Sequence, residues 1–236
     1  MRAWVGTSGF QYKAWRGGFY PEGLAESKML PYYAERFTST ESNYSFRCIP
    51  SASTIEKWAA ATPENFRFSF KAPQKVTHFA KLRDCGETML LLERVLQRAE
   101  KKLGVVLFQL PPTFKKDAGL LGEFLGEMPV GLRAAFEFRH PSWFDQETYG
   151  VLEAKGAALC IAEDEDLAAP RASTAKFGYL RLRREDYQPA DIKQWAKFAA
   201  SQAAAWEEAF IYFKHEDSGV GPKFAAQMME SLQGAG

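Results

Sequence analysis

In the run Ala134-Ala135-Phe136-Glu137-Phe138-Arg139 an acid and a base stand two residues apart, with phenylalanines at the alternate positions. Residues two apart on an extended strand share a face, so this run sets charge on one side and rings on the other. Arg67-Phe68-Ser69-Phe70-Lys71 and Tyr179-Leu180-Arg181-Leu182-Arg183 divide the same way, and Glu41 and Asn43 repeat the pattern. Charges held inside a protein must form an ion-pair network, meet water or bind a charged ligand, because unpaired burial is prohibitive. Glu41, Glu137 and Asp164 are carboxylates at or near strand ends, able to supply a general acid and a general base if burial separates their pKa values. Glu137 is the first candidate; the plainer alternative makes it a bridge to Arg139, Lys71 or Arg181. The cations Lys71, Arg139, Arg181, Arg183 and Lys214 suit a phosphate or carboxylate, with Asn43 and Gln109 to orient it.

Other residues offer weaker chemistry. Ser218-Gly219-Val220-Gly221-Pro222-Lys223 makes a glycine-containing turn before a helix, where backbone N–H groups can hold phosphate or simply start the helix. His78, His140 and His215 follow the third, fifth and eighth expected strands and could meet a carboxylate around a metal, but their spacing matches no ligand motif. We therefore expect no metal and no cofactor. Tyr12, Trp15, Phe19 and Tyr20 lie in the first long loop, where they pack the loop or stack a base or sugar. Lys115, Lys116, Arg183 and Arg184 are the thin basic argument for nucleic acid.

These side chains need a scaffold, and the hydrophobic pattern supplies one. Eight β-rich runs begin near residues 4–8, 38–45, 67–71, 104–110, 133–139, 157–162, 177–183 and 209–214. Helical spacing fills 51–61, 85–102, 118–127, 142–155, 189–207 and 221–232. In 85–102, Met89, Leu92, Val95, Leu96 and Ala99 form one apolar face, leaving Glu93, Arg94, Arg98 and Lys102 for solvent. Long helical connections argue against an antiparallel sandwich, and eight strands in this length favour a closed parallel (β/α)8 barrel of triosephosphate isomerase type over an open doubly wound sheet. Such barrels hold their chemistry at the C-terminal ends of the strands, where these charges fall.

Composition narrows the class. Hydrophobic residues make up 46% and charged residues 25%, ordinary globular usage. With 30 basic and 29 acidic residues there is no global field to draw nucleic acid. Cys48, Cys85 and Cys160 are odd in number and far apart, which disfavours a disulfide framework or a thiolate zinc site. No apolar run approaches a membrane span, so the expectation is one cytoplasmic barrel over 1–236 that does not enter the membrane. The residues do not specify an oligomeric state.

The motifs carry a resemblance as well. GTSGF at 6–10, Tyr12, Trp15, FYP at 19–21, ESNYSF at 41–46, FSFKAP at 68–73, Thr77-His78, LFQLPP at 107–112 and FEFRHPSW at 136–143 resemble the domain-of-unknown-function-72 family over nearly the whole chain. The resemblance implies the barrel and brings no settled reaction. The chain departs from the commonest family pattern at two strand ends. Arg181-Leu182-Arg183-Arg184 stands where Arg-x-His-Gly is usual, and Phe213-Lys214-His215 replaces a Phe-Asn-Asn element. The expected function is an enzyme of hydrolase or lyase type acting on a phosphate-bearing or otherwise anionic small molecule, with Glu137 as acid or base. The alternatives are a noncatalytic module for nucleic acid or a nucleotide, and a metal-dependent phosphoesterase.

Overall fold

The structure is a computed structural model that describes residues 1–163, 168–215 and 219–234. Asp164 and Ser218 lie outside the described residues. Eight parallel strands close in sequence order, each pairing with the next and the last with the first. They are β1 (Arg2–Ser8), β2 (Ser39–Ser42), β3 (Arg67–Lys71), β4 (Leu103–Gln109), β5 (Ala134–Glu137), β6 (Ala158–Glu163), β7 (Phe177–Leu182) and β8 (Glu208–Phe213). The main helices between them are α1 (Glu26–Ala34), α2 (Tyr44–Arg47), α3 (Ala52–Ala60), α4 (Gly86–Leu96), α5 (Ala118–Gly126), α6 (Gln146–Ala154), α7 (Pro189–Ser201) and α8 (Val220–Gln233). No helix among the described residues is long and apolar enough to cross a membrane.

Strand alternation divides the core in two. Phe68, Phe70, Phe108, Phe136, Leu180 and Leu182 belong to the large layer shared with the helices. Trp4, Val105, Leu107, Ala135, Cys160, Tyr179, Phe210 and Tyr212 form a separate inner cluster. Phe136 stacks on Phe108 and meets Phe124 of α5 edge-on, so the rings of β5 face the helices and Glu137 has the other face. The N-terminal end of the barrel is tied by Glu208, which accepts from Trp4 Nε1 at 2.7 Å and pairs with Arg133 at 2.5 Å.

Helix starts follow their caps: Asp117 and Asp145 accept from the N–H groups of Leu120 and Thr148. Three local expectations need correction. The first long loop contains α1, whose Met29, Leu30, Tyr33 and Ala34 are buried; Pro31 inside it reads as a helix breaker and hides the spacing. The expected strand 38–45 ends at Ser42, and Asn43 leads into α2. The expected helix 85–102 breaks after Leu96 into a tighter turn, where Glu100 takes φ 51°. Lys102 is consequently buried, not solvent-facing: its Nζ donates to the carbonyls of Ala59 and Thr62, both at 2.7 Å, serving the open end of α3.

Candidate functional site

At the C-terminal end of the barrel interior, Arg181 of β7 lies between two carboxylates from opposite sides of the ring. Its Nε donates to Glu41 Oε2 at 2.9 Å and its Nη2 to Glu41 Oε1 at 2.8 Å, while Nη1 reaches Glu137 Oε2 at 2.5 Å. Arg181 is 1% exposed and both carboxylates are fully buried. Neighbours satisfy the remaining lone pairs. Ser8 Oγ and Tyr179 Oη donate to Glu41 at 2.5 and 2.6 Å, and Gln109 Nε2 donates to Glu137 Oε1 at 2.7 Å. Arg183 and Arg139 approach the same Glu137 oxygen at 3.6 and 3.9 Å, so three guanidinium groups surround one carboxylate.

This arrangement decides the protonation states. Burial alone would raise the Glu137 pKa, but the charges of Arg181 and Arg183 and the hydrogen bonds from Arg181 and Gln109 outweigh it and hold the group at about 2. Glu41 is likewise lowered: burial opposes ionisation, while Arg181, Ser8 and Tyr179 together prevail. Both acids are therefore carboxylates across the neutral range, with their lone pairs already engaged.

Above this layer, at the strand exits, opens a cleft of ≈ 690 Å³ lined by Gln11, Tyr12, Asn43, Tyr44, Phe46, Arg47, Trp58, Lys71 and Lys214, among others. Its described lining holds three cations and no carboxylate. Lys71 is the last residue of β3, and its ammonium sits 3.9 Å from the centre of the Phe46 ring. The ammonium makes no hydrogen bond or salt bridge to a described residue. Burial lowers its pKa first, with Arg181 and Lys214 adding repulsion against the pull of Glu137 and Glu41, to about 8. Asn43 donates from Nδ2 to Ser8 Oγ at 3.0 Å, and its buried Oδ1 has no partner among the described residues. The cleft thus presents a desolvated cation beside an unused acceptor, the complement of an anionic, hydroxyl-bearing molecule.

The other sequence candidates are distributed less simply. Gln109 and Arg181 serve the carboxylates in the layer beneath the cleft. Tyr12 lines the cleft and donates to the Ser8 carbonyl at 2.9 Å. Trp15 is 1% exposed and stacks with Tyr20, so it is core and forms no rim. His78 stands edge-on to Phe46, the ring that also carries Lys71; burial and the charges of Lys71 and Arg139 lower its pKa and favour the neutral imidazole. His140 bonds Ser142 at the head of a short turn, and His215 is buried with Nε2 at 2.6 Å from the Arg184 carbonyl oxygen. Among the described residues no three of His, Cys, Asp and Glu gather as metal ligands. Ser8, Tyr179 and Arg47 carry no sequence signal that marks them for the site, and ESNYSF at 41–46 is the available one for Phe46; Trp58, expected from its helical position to pack, stacks on Phe68 and also lines the cleft.

Comparison with known proteins agrees with this architecture. A family model described as "Protein of unknown function DUF72" matches residues 4–236. The UPF0759 protein YecE of Escherichia coli K12 is 30% identical over 148 residues, covering 60% of this chain and 54% of that protein. The chain thus spans about half the length of that curated relative. The UPF0759 protein YunF of Bacillus subtilis is 26% identical, covering 90% of this chain and 89% of its own. A DUF72 protein from Thermotoga maritima superposes with a TM-score of 0.89 at 26% identity, over 99% of this chain and all of its own.

Proposed function

The chain belongs to the DUF72 family, a group of TIM-like barrels without an established reaction, and from that premise we propose that it is an enzyme binding a small anionic, hydroxyl-bearing compound in the cleft at the strand exits. The observation that carries this reading is the cleft's lining, where Lys71, Lys214 and Arg47 converge and no described carboxylate competes with a ligand. Asn43 Oδ1 would accept from the ligand's hydroxyl, and the cations would hold its phosphate or carboxylate. A hydrolase or lyase fits this position in the barrel. On this reading Glu137 keeps a permanent charge and orients the guanidinium layer, because an acid already ionised down to about pH 2 has no proton to give at neutral pH. A groove of ≈ 530 Å³ lined by Met1, Ala3, Val5, Thr38, Met229 and Leu232, among others, has no charged side chain in its lining and is a weaker candidate.

A second reading, a noncatalytic nucleotide or nucleic-acid module, draws on the rings of Tyr12, Tyr44, Phe46 and Trp58 in the same cleft. Thermal unfolding with inorganic phosphate, pyrophosphate, citrate and nucleotides separates the two. An anion at about 100 times its dissociation constant should add about 2.7 kcal/mol, raising Tm by roughly 5–10 °C for a chain of this size. Sodium chloride of equal ionic strength should not. Equal shifts from chloride would contradict the anion site. Tight binding of single-stranded oligonucleotides with a steep salt dependence would favour the second reading.

A further inference from the structure

We propose that Lys71 is a carbonyl-capturing amine, which condenses with an anionic aldehyde or ketone held in the cleft to form an iminium. This inference rests on the anion reading above and narrows it to oxo compounds and to lyase-type chemistry. Four features of the site converge on it. Lys71 ends β3 at the barrel mouth, so the stem is anchored by the strand while Nζ lines the cleft. The two buried acids that could have fixed an ammonium are held by Arg181. Nζ sits 3.9 Å from the centre of the Phe46 ring, which covers the amine without offering it a lone pair. Arg47 and Lys214 line the same cleft, where the ligand's anionic group would sit.

Burial favours the free amine, and the neighbouring cations add to it against two carboxylates. Facing Lys71 are Arg181 from β7, Glu137 from β5, Glu41 from β2, Lys214 after β8 and His78 after β3. Burial and the cations prevail over the two engaged carboxylates, which brings the group to about 8. At pH 7 roughly one lysine in ten is then neutral, against about one in several thousand at the ordinary value. A desolvated lysine beside another cation is a recognised form of activated nucleophile.

The step balances without an oxidant. The Nζ lone pair forms the C–N bond as the carbonyl π electrons move to oxygen, which takes up a proton. The resulting carbinolamine loses a nitrogen proton, and its hydroxyl leaves with a proton as water. Neutral His78, edge-on to the same Phe46 ring with centroids 5.1 Å apart, is a described group suited to carry a proton in this exchange. The iminium draws electrons from the neighbouring carbon and so opens deprotonation or carbon–carbon cleavage there.

The test uses pyridoxal 5′-phosphate, an anionic aldehyde, at near-stoichiometric ratio with the full chain, followed by borohydride reduction and peptide mapping. Lys71 should be modified at least tenfold faster than Lys13 or Lys176, both largely exposed. Its labelling rate should climb between pH 7 and 9 with a midpoint near 8. Inorganic phosphate should protect it. Lys71→Arg should lose this fast label without its passing to Lys214. Label spread over surface lysines, or concentrated on Lys214, overturns the inference. If phosphate still raises Tm in that case, the anion site stands and only the amine chemistry fails. If phosphate neither raises Tm nor protects, both readings fall.

Discussion

Replacing Arg181 with methionine should cost about 3–5 kcal/mol at pH 7, because it removes the group that bridges two fully buried carboxylates. Urea titration at pH 8, 6.5 and 5 measures the loss and also its pH dependence. In the native chain Glu137 is depressed from 4.5 to about 2 and Glu41 is depressed as well, so their contribution is complete above 4.5 and fades only as pH falls towards 2. Their share of the wild-type profile between pH 8 and 5 should thus be flat. Without Arg181, Glu41 keeps only the hydrogen bonds of Ser8 and Tyr179 against complete burial and should rise above its unfolded value, whereas Glu137 still has Arg183, Arg139 and Gln109 beside it. The variant's native state then binds more protons than its unfolded state, and its stability should increase as the solution is acidified over the same interval. A variant that loses under 1 kcal/mol, or that keeps the wild-type slope, would contradict the role given to Arg181. Should it fail to fold, Arg181→Lys retains the charge but loses the fork that spans both acids, and should fall between the two.

The triad is poor evidence for stability as such, since a well-packed apolar replacement of all three residues can be neutral or better. Combining Glu41→Met, Arg181→Met and Glu137→Met should therefore cost less than Arg181→Met alone. That non-additivity distinguishes coupled charges from independent contacts.

Gly6→Ala should be the most damaging single methyl in the chain. A Cβ at this position would stand 1.8 Å from the Ser39 carbonyl oxygen and 2.5 Å from Tyr33 Oη. Ser39 is the register partner of Gly6 across β1 and β2, and Tyr33 Oη accepts from Thr7 N–H and donates to that same Ser39 oxygen. Neither can retreat without opening the β1–β2 seam that brings Ser8 to Glu41. We expect a loss above about 4 kcal/mol, the range reserved for severe backbone or core conflict, read as loss of cooperative melting by circular dichroism. Gly23→Ala, with nothing within 4 Å of the added carbon, is the control. A Gly6→Ala chain melting within a few degrees of wild type would show that the strands separate more easily than their geometry indicates.

The barrel was legible because β3, β5 and β7 alternate rings with charges, and that alternation survives folding: Phe136 faces the helices and Glu137 the interior. What period alone does not give is who meets whom. Glu41 and Arg181 are 140 residues apart, and only closure of the ring makes them partners. From the strand alone Arg181 looked like a ligand contact; closure puts it beneath the cleft, with Lys71 and Lys214 above. Ser8 gives no periodic signal on the largely apolar β1, and Tyr179 shares a face with Arg181 without showing what its hydroxyl meets, yet both donate to Glu41. Asn43 reached the site by a different route from the one expected, as the residue leading into α2 and not as a strand position. The gathering of Tyr44, Phe46, Arg47 and Trp58 depends on how α2 and α3 fold over the strand exits, which no spacing rule describes.

The barrel mouth has a lower layer of ionised, fully engaged acids and an upper cleft lined by cations. Side-chain carboxyl resonances of ¹³C-labelled glutamate, assigned through Glu41→Gln and Glu137→Gln, report that division directly. Glu137 should show no inflection from pH 8 down to 4, its midpoint near 2 or masked by acid unfolding, and Glu41 should stay ionised over the same span. A midpoint for either acid between pH 5 and 8 would contradict the account and return proton transfer to the carboxylates.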